Sequence, residues 1–135
     1  MKKMIFDAKL ENISKVLDFV RNELVKINCP KKPIMQIEIA IDEIFSNIAR
    51  YAYCPDIGKA TVCIEVKEDP AAIVLYFIDN GVFYDPLEKK DPDITLSADE
   101  RAIGGLGIFM VKNMMDEISY EYKDGQNILK IKKNI

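Results

Sequence analysis

The sequence predicts an α+β protein, a two-layer sandwich in which about three helices cover one face of a mixed, mostly antiparallel sheet. Three observations lead there. Leu10, Ile13, Leu17, Val20, Leu24 and Ile27 recur at steps of three and four, and so do Ile34, Ile37, Ile41, Ile44 and Ile48. Each set is the apolar stripe of an amphipathic helix. Val62, Ile64 and Val66 alternate with polar neighbours, and Ala72 to Ile78 is a continuous apolar run, the patterns of a half-buried and a central strand. Two further strand-like segments flank Lys123-Asp124-Gly125-Gln126, a turn sequence. The order β-α-α-β-β-loop-α-β-β groups the helices against a sheet rather than alternating them with parallel strands.

Taken in order, Lys3 to Lys9 reads as an edge strand. The first helix follows, with Glu11 and Asn12 offering capping oxygens and Cys29-Pro30 and Pro33 stopping it. The second runs from about Pro33 to Tyr53, with Pro33 suited to a first turn. Pro55-Asp56-Ile57-Gly58 and Glu68-Asp69-Pro70 are turns bracketing the Val62–Val66 strand. After Ile78 a polar stretch from Asp79 to about Gly105, with Pro86 and Pro92, is long for a connection and of a length usually tied to function or disorder. A third helix spans Gly105 to Asp116, and strands at Glu117 to Tyr122 and Asn127 to Lys132 close the chain.

Composition bounds the chemistry. The 135 residues make one domain, with 49% apolar and 30% charged residues, a globular balance. Nineteen Lys+Arg against 22 Asp+Glu leave a net charge of −3, and the pI near 5.1 argues against a phosphate-backbone binder. With no His, imidazole catalysis and His-ligated metals are excluded. Cys29, Cys54 and Cys63 form no Cys-x-x-Cys pair and read as reduced thiols. Asp7 and Lys9 break any signal-peptide core, and no apolar run reaches the roughly 20 residues of a membrane span. A soluble, cytoplasmic protein is expected.

Three constellations could carry chemistry. Gln36, Ala40, Glu43, Asn47 and Arg50 share one face of the second helix, with Glu43 and Asn47 a turn apart. That face is either solvated or an oxygen-rich site for a hydrated Mg²⁺ and a proton acceptor. Asp79-Asn80-Gly81-Val82-Phe83-Tyr84-Asp85-Pro86 follows the central strand and is either a plain turn or a ligand acceptor. Gly104-Gly105-Leu106-Gly107 opens the third helix, as a hinge or as a phosphate cradle backed by free N–H groups. Neither a Walker pattern nor a G-x-G-x-x-G fingerprint is present.

Together, in this order, the three resemble the boxes of the GHKL (Bergerat-fold) ATPases. Within that superfamily they look most like the stand-alone anti-sigma-factor serine/threonine kinases of the RsbW and SpoIIAB type. Glu43-Ile44-Phe45-Ser46-Asn47-Ile48 resembles the N box, and Asp79-Asn80-Gly81 with Phe83-Tyr84-Asp85-Pro86 the G1 box. Gly104 through Lys112, followed by Met115-Asp116-Glu117, resembles the G2 box and the helix after it. Phe83 stands where many GHKL proteins carry a second glycine, which anti-sigma kinases commonly lack as well.

The resemblance implies roles. Asn47 would hold Mg²⁺ and Glu43 would be the general base. Asp79 would accept from the adenine amine, with Gly81 letting the base approach and Phe83 beside it. Gly104, Gly105, Leu106 and Gly107 would hold the phosphates, Arg101 would contact the γ-phosphate, and Arg50 and Tyr51 would line the site. For Arg50 a surface salt bridge is the other reading. The implied activity is transfer of phosphate from ATP to a serine or threonine of a STAS-domain anti-anti-sigma protein, in a partner-switching cycle that holds a sigma factor or other effector inactive. A homodimer is implied, with no direct nucleic-acid or membrane contact. Two alternatives stay open: a non-catalytic, ATP-responsive binding module, and the detached catalytic domain of a histidine kinase, which would need its phosphoacceptor His in trans.

Overall fold

The computed structural model describes residues 1–88 and 105–135. Its elements follow the expected order: β1 (Lys2–Asp7), α1 (Ile13–Lys26), α2 (Lys31–Asn47), β2 (Lys59–Lys67), β3 (Ala72–Asp79), α3 (Gly105–Met114), β4 (Glu117–Lys123) and β5 (Gln126–Asn134). The strands form one sheet in the order β1-β2-β3-β5-β4, mostly antiparallel as expected and in fact antiparallel at every described pairing. The apolar run Ala72 to Ile78 takes the central position because it alone is wet on neither face at most of its length.

Register puts Val62, Phe77 and Leu129 side by side, and Ile64, Leu75 and Ile131 two residues along. These six face the helices and join one core with Val16, Val20 and Leu24 of α1, Ile37, Ile41, Ile44 and Phe45 of α2, and Val111 of α3. Phe45 and Phe6 meet edge-on at 6.3 Å, tying α2 to the β1 edge. The hairpin between β4 and β5 closes on Asp124 and Gly125, both with positive φ (53° and 76°), as a two-residue primed turn requires.

Local structure departs from expectation at the helix ends. Leu10–Asn12 forms a short 3₁₀ turn before α1, and Asn12 does not cap the helix. Its Nδ2 instead donates to the Asp7 carbonyl at 2.8 Å, fastening the helix to the end of β1. α1 ends at Lys26, before the prolines: Asn28, with φ at 53°, lets Cys29 N–H return to the Leu24 carbonyl at 3.1 Å. This is the six-to-one bond of a Schellman ending. The second helix widens into a π turn over Ile48–Ala52 instead of continuing as α-helix to Tyr53. Such turns cluster at functional sites.

Candidate nucleotide site

α2, the π turn, the end of β3 and the start of α3 surround one cavity of about 130 Å³. Its walls are apolar: Ile44, Ile48 and Ala52 from the helix, Phe77 and Leu129 from the sheet, and Ile108 from α3. Polar groups enter at two places, Asn47 on the helix side and Asp79 with Asn127 on the sheet side. An apolar slot with a few convergent polar groups suits a flat heterocycle.

Asp79 ends β3 opposite Asn127 of β5. Its carboxylate is buried, and its Oδ1 accepts from Gly81 N–H and from Asn127 Nδ2, both at 2.9 Å. Burial pushes the Asp79 carboxyl above the usual carboxylate range, against the opposing pull of those two donors. Asn127 also donates to the Val82 carbonyl at 2.9 Å, and its own oxygen accepts from Tyr120 OH at 2.5 Å and Tyr84 N–H at 3.2 Å. One amide thus pins the loop after β3 to β5.

The π turn holds the other side of that loop. The carbonyls that end a helix lack an internal partner. Ala52's accepts from Val82 N–H at 3.0 Å. A Cβ at Gly81 would overlap the Ala52 backbone, so glycine is what lets the loop lie against the helix end. The resemblance gave Gly81 the task of admitting a base; its missing side chain faces protein. Tyr53 OH adds a clamp, accepting from Asn80 N–H at 2.7 Å and donating to the Lys59 carbonyl at 2.5 Å.

Glu43 lies one turn up α2 from Asn47, and its carboxylate rests against Gly107, where any side chain would collide with it. α2 and the start of α3 meet through this contact.

A family model described as the histidine kinase-like ATPase domain matches residues 6–133. The chain belongs to that family. Within this histidine kinase-like ATPase domain, residues 6–133 run from the end of β1 to the end of β5. Among its relatives is the serine/threonine-protein kinase BtrW of Bordetella bronchiseptica, 29% identical over 69% of this chain and 65% of that protein. Another is the serine-protein kinase RsbW of Bacillus cereus, 32% identical over 73% of this chain and 63% of that one. The chain therefore matches under two-thirds of the length of these kinases. The fold is shared with the RsbU and RsbW domains of a Mycobacterium tuberculosis protein (TM-score 0.68, 16% identity, 99% of this chain, 32% of that one). It is shared too with a chain of the SiaB–SiaC complex of Pseudomonas aeruginosa (TM-score 0.60, 20% identity, 98% and 89%).

Of the residues singled out in the sequence, the ATPase domain brings Asn47, Tyr51, Asp79 and Phe83 to the cavity wall. Glu43 and Gly107 meet beside it, and Gly81 packs beneath it. Phe83 is 57% exposed, its ring edge-on to Tyr122 at 5.1 Å and to Tyr120 at 6.1 Å. Arg50 is exposed and takes no part in the lining. Gly105 and Leu106 fall in the first turn of α3. Arg101 and Gly104 lie outside the described residues, as does most of the polar stretch before α3. Sequence reasoning missed Asn127 and Tyr120. The strand register, which sets Asn127 opposite Asp79, singles out the first, and the hydrogen bond from the Tyr120 hydroxyl to Asn127 singles out the second.

Proposed function

We propose that this domain binds ATP with Mg²⁺ and transfers the γ-phosphoryl group to a serine or threonine of a STAS-type antagonist, as a partner-switching anti-sigma kinase. The observation that carries the reading is the convergence of three separate motifs. Asn47 and Asp79 line one apolar cavity, and the Glu43 carboxylate meets Gly107 next to Ile108 on its rim. The kinase names of its relatives support it.

In this reading Asp79 accepts from the adenine amine while Tyr51 and Phe83 flank the base. The N–H groups opening α3 at Gly105, Leu106 and Gly107 hold phosphate oxygens, together with Gly104. Asn47 holds Mg²⁺, which offsets charge on the phosphates when bound. Glu43 takes the proton of the attacking hydroxyl as its oxygen bonds to the γ-phosphorus and the bond to the ADP oxygen breaks. Arg101 keeps the γ-phosphate contact that the resemblance gives it.

The partner cycle follows. A homodimer in the cytoplasm holds a sigma factor or other effector inactive, and the unphosphorylated antagonist competes for it. Phosphorylation adds negative charge to an antagonist docked on an acidic chain, which favours release. No described helix is long and apolar enough to cross a membrane. The test is transfer of labelled phosphate from ATP to a STAS-type antagonist by the wild type and by Glu43→Gln. The variant should bind ATP normally and lose transfer by about 10²–10⁴-fold. Near-normal transfer by it would remove Glu43 from the base role. ATP binding with no transfer by the wild type would leave an ATP-responsive binding module.

A further inference from the structure

We propose that Tyr122 is a positioning residue of the nucleotide site: from the edge strand β4, its ring holds Phe83 as the wall against which the base lies. The proposal rests on the ATP reading above, in which Phe83 flanks the base.

Phe83 stands in the loop after β3, and the residues on either side of it are bound to one amide. Asn127 Nδ2 donates to the Val82 carbonyl at 2.9 Å, and Asn127 Oδ1 accepts from Tyr84 N–H at 3.2 Å. The backbone is thus held on both sides of Phe83, while its side chain stays 57% exposed. An exposed ring exchanges rotamers quickly unless something packs against it. A ring that must be ordered when the ligand arrives costs affinity.

β4 supplies the packing. Strand register places Asp79, Asn127 and Tyr122 in one row across β3, β5 and β4, and Phe77, Leu129 and Tyr120 in the next. Phe77 and Leu129 face the helices, so both rows do, two residues apart along each strand. The row that carries the buried carboxylate therefore ends on Tyr122. The Phe83 ring meets Tyr122 at 5.1 Å and 85°, and Tyr120 at 6.1 Å and 71°. Both are the edge-to-face arrangement that aromatic rings prefer. A ring carried on a flexible loop is in this way seated on strand residues, which hold geometry better.

The two tyrosines differ in what they reach. Tyr120 belongs to the cavity wall and its hydroxyl is engaged with Asn127, so replacing it disturbs wall and network together. Tyr122 is 47% exposed and is not part of the wall, whereas Phe83 is. Any effect of Tyr122 on a bound base passes through Phe83.

Equilibrium titration of the intact chain with Mg-ATP tests this as a double-mutant cycle, with the folding of each variant checked by circular dichroism. Tyr122→Ala and Tyr122→Thr, the second well suited to a strand, should each weaken ATP binding by about two- to tenfold. Phe83→Ala should lose at least as much. Tyr122→Ala combined with Phe83→Ala should bind no more weakly than Phe83→Ala alone, because the two residues act through one contact. Tyr122→Phe, which keeps the ring, should bind ATP as tightly as the wild type. Folded Tyr122→Ala or Tyr122→Thr with wild-type affinity, or losses that add in the double variant, would overturn the proposal while leaving the ATP reading intact. So would a Tyr122→Phe as weak as the alanine variant, or a Phe83→Ala that binds as tightly as the wild type. A wild type that does not bind ATP would overturn the ATP reading, and the proposal with it.

Discussion

The Glu43 carboxylate occupies the space that a side chain at position 107 would need. The contact joins the C-terminal part of α2 to the first turn of α3, two elements that the sequence separates by less than half the chain but that meet only through the fold. What gives way on substitution is the far end of a flexible side chain rather than backbone. Gly107→Ala should therefore fold with a melting temperature within a few degrees of wild type, while the carboxylate is pushed from its place. Transfer should fall by at least about tenfold, since a misplaced base loses much of its effect. Melting curves and phosphotransfer assays on the same preparation check both halves.

Gly81→Ala should behave in the opposite way. Its Cβ would meet the Ala52 backbone, which the Ile48–Ala52 turn and the bond to Val82 hold in place. Overpacking against fixed backbone costs about 1–3 kcal/mol. Urea unfolding should show a lower midpoint, with an unchanged slope if the unfolded state is unaltered.

Burial raises the Asp79 carboxyl above its unfolded value of 3.8. A raised folded-state pKa means the folded chain binds the proton more tightly than the unfolded one. The stabilisation this gives is complete below the unfolded value and is lost as pH rises through the raised folded value. At neutral pH Asp79 is then a desolvated charge kept at a cost in stability. Asp79→Asn, which keeps an oxygen for Gly81 and Asn127, should melt a few degrees higher at pH 7. It should lose that gain in acid, while binding ATP more weakly. Melting temperatures of both proteins across pH 4 to 8 would show the two curves converging at low pH; parallel curves would contradict the assignment.

Much of the fold is legible because its signals are local. The stripes of α1 and α2 come from three-and-four spacing, and the final hairpin from Asp124-Gly125 at a turn that needs positive φ. Asp79 was found because an acid ending an apolar strand is conspicuous. What escaped depends on partners distant in sequence. Asn127 reads as an ordinary strand residue until register sets it opposite Asp79. The π turn over Ile48–Ala52 carries no spacing signal, since the apolar stripe continues through Ile48. Asn12 has the right chemistry for a cap, but the nearby Asp7 carbonyl claims its amide instead.

Calorimetric titration of the wild type with Mg-ATP and Mg-GTP, repeated with Asp79→Asn, tests the central claim most directly. The account predicts saturable binding that favours ATP and falls by more than about tenfold in the variant. Absence of saturable ATP binding, or equal binding of ATP and GTP, would contradict it.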